Sequence, residues 1–124
     1  MSSTRTDRKV VDTRNAPYQP YDRYGMTIEN MSWIPVSMDE KTGKGCFMIR
    51  FEPGGRSLPH VHTGGEAFLM LEGELVDDDG TVFKAGDFVS FAPGSSHSSH
   101  SPTGCVAAVF LGGMNRLVDE ADET

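Results

Sequence analysis

The sequence predicts an all-β, single-domain fold, a sandwich or barrel of short strands. Three observations carry that prediction. Short apolar or alternating runs recur through the middle of the chain, no segment keeps a helical period over three turns, and Gly- and Pro-rich turns separate the runs. At 124 residues there is material for one hydrophobic core and not for two.

The elements follow in chain order. Residues 1–25 read as a polar N-terminal arm, the first half mobile. Near its end Pro17, Pro20, Tyr18, Tyr21 and Tyr24 lie either along the domain or across a partner subunit. The domain proper spans 26–118, with strands expected at Met31–Val36, Gly45–Glu52, Glu66–Glu72, Thr81–Lys84, Asp87–Phe91 and Gly104–Leu111. The turns between them are KTGKG, EPGG, TGGE, DDDG, KAGD and APGSS, in which Gly54, Gly73, Gly86 and Gly94 serve the backbone. None of these glycines opens a helix, so a nucleotide-binding loop is not supported. Asp119–Thr124 reads as an acidic, frayed tail. Trp33 is expected in the core or at an interface.

Composition narrows the function. Eleven basic residues against 18 acidic ones give a net charge of −7, which makes nucleic acid and anionic membrane surfaces poor partners. No run approaches the roughly 20 apolar residues of a membrane span. The opening MSSTRTDRKVVDTRNAP has charges but no apolar stretch behind them, so a cytoplasmic location is expected. Cys46 and Cys105 sit far apart in strand-like runs and form no CxxC pair, which reads as two buried thiols.

The chemistry is concentrated in GGRSLPHVHTGGEAFLMLEG, residues 54–73. Side chains alternate along an extended strand, so His60 and His62 share a face. Continued through the Thr63-Gly64-Gly65 turn, the same parity adds Glu66, Phe68 and Met70. His97 follows about thirty residues on, and all four histidines of the chain fall in two short windows. Three imidazoles and a carboxylate suit one divalent transition metal, Fe(II), Zn(II), Mn(II) or Ni(II). A cavity holding them beside Phe68 and Met70 would be a small-ligand pocket. Arg50 and Arg56 are read either as guanidinium partners for a substrate carboxylate or enolate, or as solvated strand-edge residues. The serines at 95, 96, 98, 99 and 101 either orient ligands or edge a polar loop.

Gly54-x5-His60-x-His62-x3-Glu66-x6-Gly73 matches the first sequence motif of the cupins at every specified position. The second motif is less complete. Gly86, Gly94 and His97 are in place, but Ala92 stands where proline is usual and Ser101 where asparagine often ends the motif. HTGGEAFLMLEGEL, GTVFKAGDF and FAPGSSHS resemble most the ChrR-like cupins, named after the zinc-binding C-terminal domain of an anti-sigma factor and similar to small diketone-cleaving dioxygenases. The resemblance spans roughly residues 30–112. It implies a jelly-roll β-barrel with His60, His62, Glu66 and His97 as ligands of one metal. The interval from Gly94 selects His97 over His100, which is left to the rim, an outer shell or solvent.

Three functions compete under that resemblance. The first is an Fe(II) dioxygenase acting on a small dicarbonyl or aromatic compound. The second is a non-catalytic zinc-binding module, and the third a metal-dependent isomerase, lyase or cyclase on a small carbonyl compound or sugar. The first 45 residues hold neither His nor Cys, so the anti-sigma protein's separate zinc domain is not expected here. The oxygenase ranks first. Unpaired strand edges and the Tyr/Pro arm lead to the expectation of a homodimer.

Overall fold

A computed structural model describes residues 5–118. Among them there is no helix, and so no helix long and apolar enough to cross a membrane. The strands are β1 (Gln19–Pro20), β2 (Met31–Met38), β3 (Gly45–Phe51), β4 (Gly55–Arg56), β5 (His60–His62) and β6 (Glu66–Asp77). They continue with β7 (Val82–Lys84), β8 (Phe88–Phe91), β9 (Ser96–His97), β10 (Ser99–Ser101), β11 (Cys105–Leu111) and β12 (Asn115–Leu117). The acidic tail expected at 119–124 lies outside the described residues.

The all-β expectation holds, and all six expected strands are present. One sheet runs β1-β2-β3-β11-β6-β10-β4, with β7 and β8 also paired to β6, and curls into a half-barrel. A second sheet of three strands, β12-β5-β9, stands across the cavity from it. Alternation places Phe47, Ile49 and Phe51 of β3 and Ala107, Val109 and Leu111 of β11 in the core, where burying each large apolar side chain contributes about 1.5–3 kcal/mol.

The longest strand, β6, carries an irregularity that positions the site. Ala107 pairs with Met70 but Val106 pairs with Glu72, leaving Leu71 as an extra residue in the ladder. Before this bulge even-numbered residues face inward, as Phe68 and Met70 do. After it odd-numbered ones do, and Leu75 and Asp77 are buried. A plain alternation read across the strand therefore points Asp77 the wrong way.

The arm expected over residues 1–25 joins the domain before its end. Gln19 and Pro20 pair with Trp33 and Ser32 of β2. Tyr21 is buried, with its ring 5.3 Å from Trp33 in an edge-to-face contact. The Tyr/Pro segment thus packs on its own domain. Cys105 is buried and Cys46 half-buried, both as free thiols.

Candidate metal centre

Each of the four candidate ligands is placed by a different piece of backbone. His60 of β5 lies directly opposite His97 of β9 in an antiparallel pair, so both project from one face. His62, two residues along β5, shares that face, and its N–H and C=O are held by the Ser95 carbonyl and the Gly94 N–H. Glu66 arrives by another route. The turn at Gly65, which has φ of +85°, carries the chain from the small sheet to the large one, where Glu66 pairs with Phe91 and Leu111. The change of sheet, rather than strand parity, brings Glu66 to the histidines.

The three imidazoles form a nearly equilateral triangle, with ring centroids 4.7, 4.7 and 4.8 Å apart. Glu66 Oε2 lies 2.8 Å from His62 Nε2 and 3.6 Å from His97 Nε2. One ligand atom from each of the four residues falls within 4.8 Å of the other three, and together they can hold one metal ion.

The outward nitrogens decide the tautomers. His60 Nδ1 is 2.7 Å from the Leu58 carbonyl, which can only accept. His97 Nδ1 is 2.7 Å from the Asp77 carboxylate. His62 Nδ1 meets Ser95 Oγ at 3.1 Å, and Ser95 spends its own proton on the Ala92 carbonyl. All three rings thus carry hydrogen on Nδ1 and turn an Nε2 lone pair inward, as metal-bound histidines do. His62 Nε2 is buried and makes no hydrogen bond despite the nearby carboxylate oxygen. Converging lone pairs and a carboxylate without a proton between them call for a cation, so the residues present fit a metal.

With no ion bound, a proton can take its place between Glu66 and a facing imidazole. Burial alone would raise the Glu66 carboxyl, but hydrogen bonding to the imidazoles of His62 and His97 outweighs it and holds it down at about 2. Burial lowers His60 to about 4, keeping it neutral and ready to coordinate at pH 7. For His97 burial is outweighed by the Glu66 and Asp77 carboxylates, which raise it.

The cluster opens on a cavity of about 60 Å3, room for a few waters or one small molecule. His60, Glu66 and His97 face it, while fully buried His62 stands behind, 5.0 Å from the Phe91 ring. The walls are mostly apolar, Phe68 among them, and among the described residues no Lys or Arg lines it.

Other candidates fall elsewhere. Met70 is buried in the core but does not line the cavity. Arg50 faces outward, since Phe47, Ile49 and Phe51 take the inner parity of β3, and its guanidinium sits 4.0 Å over the Tyr18 ring. His100 pairs across from Arg56 and lines an outer groove with Asp78. Asp77 and Asn115 were missed: the bulge hides the first, and the second lies in a three-residue strand behind Gly112 and Gly113.

Against this geometry, the family profile described as the ChrR Cupin-like domain matches residues 6–115. The chain belongs to that cupin family. A comparison with curated proteins finds no match. Among solved structures, a Methylibium petroleiphilum PM1 protein provisionally assigned as an acetylacetone dioxygenase is similar at TM-score 0.81 and 13% identity, over 98% of this chain and 88% of that one. The acetylacetone dioxygenase of Acinetobacter johnsonii is similar at TM-score 0.73 and 15% identity, over 98% and 83%. The anti-sigma ChrR of Rhodobacter sphaeroides, solved with SigE, is similar at TM-score 0.61 and 15% identity, over 77% of this chain and 48% of that one. At such identities the structural likeness establishes the fold, and the cupin-type architecture is thereby shown.

Proposed function

We propose that this cupin is a small Fe(II)-dependent dioxygenase acting on a neutral dicarbonyl or aromatic compound, with His60, His62, Glu66 and His97 as the metal ligands. The observation that carries the reading is the inward-turned imidazole triangle with Glu66, set at the end of an apolar cavity that no Lys or Arg lines among the described residues. A bound iron would supply Lewis acidity for a carbonyl or enolate oxygen and the redox capacity that oxidative cleavage needs. The chain supplies the rest. Leu58, Ser95 and Asp77 fix the three ring orientations. Phe68 and its apolar neighbours exclude water and favour an uncharged ligand. The acetylacetone dioxygenase of like fold, and the second neighbour provisionally assigned as one, support the choice of reaction class.

A second reading, a zinc-binding module without catalysis, draws support from the family shared with the anti-sigma ChrR. Oxygen uptake separates the two. Iron-loaded protein given acetylacetone or a phenolic ketone consumes oxygen in step with substrate, and His62→Ala abolishes it. Absence of uptake with iron bound, across both probes, would favour the module.

The expected homodimer fits the outer face of the large sheet. There Phe88, 63% exposed, stacks on Phe110, 44% exposed. A solution mass of twice the chain, reduced by Phe88→Lys, tests it.

A further inference from the structure

Among the described residues three buried side-chain atoms lack a partner: Arg23 Nη1, His62 Nε2 and Asn115 Oδ1. The second belongs to the metal cluster. The third has no place in that cluster, yet it belongs to a residue that lines the same cavity and is only 5% exposed. A buried amide oxygen left without a donor costs about 1–3 kcal/mol, so its position calls for a ligand or water to complete it.

The backbone explains why it faces there. Asn115 pairs with His62 and Leu117 with His60 in the β12–β5 ladder, so Asn115 projects on the same side as the histidines. The Thr63 hydroxyl donates to the Met114 carbonyl and locks the two strands beside each other. The Tyr24 hydroxyl lies near the Asn115 side chain, and the Tyr24 ring meets that of Tyr21 edge to face. Tyr21 and Tyr24 also line the cavity. Asn115 therefore lines the same cavity as His60, Glu66 and His97 while its amide oxygen is left without a partner.

We propose that Asn115 is a specificity residue, whose Oδ1 accepts a hydrogen bond from an O–H or N–H group of the ligand. The class of ligand follows from the cavity. It is small and largely apolar, since among the described residues no Lys or Arg lines the cavity to pair a carboxylate or phosphate. It carries a carbonyl or enol oxygen for the histidine end and a hydrogen-bond donor for Asn115, with apolar atoms between. A hydroxyketone or the enol of a dicarbonyl meets these terms, and a plain ketone does not. The inference rests on the proposed function only for which end of the ligand faces the histidines.

The test uses two ketones matched in shape, 3-hydroxybutan-2-one and 3-methylbutan-2-one, titrated against full-length protein by ligand-observed NMR. Wild type binds the hydroxyketone more tightly, and Asn115→Leu lowers the ratio of the two affinities about tenfold or more. Tighter binding of the methyl ketone by wild type would overturn the inference, and that comparison needs no variant to fold. An unchanged ratio in a folded Asn115→Leu would overturn it as well. Protein that holds no metal but keeps an Asn115-dependent hydroxyl preference would sink the oxygenase and leave this inference standing. Protein that holds iron and takes up oxygen with no hydroxyl preference would do the reverse.

Discussion

Asp77 accepts a 2.7 Å hydrogen bond from His97 Nδ1, and both side chains are buried. The pair joins the far half of β6 to the metal cluster, because the bulge at Leu71 is what turns Asp77 inward. A carboxylate on the outer nitrogen fixes the ring and raises the basicity of the nitrogen that faces the ion. Asp77→Ala is therefore expected to weaken metal binding by about 10–100-fold while leaving the sheet intact. Competition against a chelator of known affinity measures this, and circular dichroism checks the fold.

The metal-free protein is expected to lose stability in acid. His60 falls from its ordinary 6.5 to about 4 on folding, so its contribution is complete above 6.5 and disappears as pH drops through 4. Glu66, held at about 2 instead of 4.5, acts in the same direction at lower pH. His97 is raised, so it opposes them: its contribution is complete below 6.5 and is lost as pH rises through its folded value. The net expectation is a maximum near neutrality and a loss on the order of 3 kcal/mol from His60 between pH 6.5 and 4. Thermal melts of the chelated protein across that range read it, and His60→Gln flattens the curve.

Tyr21 is buried, with its ring 5.3 Å from that of Trp33. Tyr21→Ala is expected to cost about 3 kcal/mol, the lower end for deleting a buried aromatic ring. Trp33 emission should shift to the red as water enters. Unchanged fluorescence and stability would mean that the segment before residue 25 is no part of the core.

Gly64 sits between the ligand-bearing turn and the loop after β11. A Cβ there would overlap the Gly112 carbonyl, which is backbone and has little room to yield. Gly64→Ala should destabilise the fold by about 1–3 kcal/mol and weaken metal binding with it. Urea unfolding and chelator competition on the same sample test both effects.

The sequence was most legible where alternation runs unbroken. Strands β2, β3, β11 and the first half of β6 follow directly from it, and the buried positions Phe68 and Met70 with it. Legibility ends where the backbone departs from regularity. The extra residue at Leu71 inverts the inner face and hides Asp77. Strands β5, β9, β10 and β12 have two or three residues each, too few to show a period. His60, His62, Glu66 and His97 were nameable because their spacing is itself the signal. Asn115 carries no such spacing, since its place is set by a partner strand more than fifty residues earlier. Arg50 shows the same limit: proximity to the motif left a pocket role and a solvated strand edge both open, and the parity of β3 places it outward.

The central claim is that His60, His62, Glu66 and His97 hold one metal ion. The most direct measurement is elemental analysis of untagged protein purified without added metal, beside His62→Ala. The account predicts close to one transition-metal ion per chain in the wild type, lost in the variant along with part of the thermal stability. No metal in either protein, or the same content in both, would contradict it.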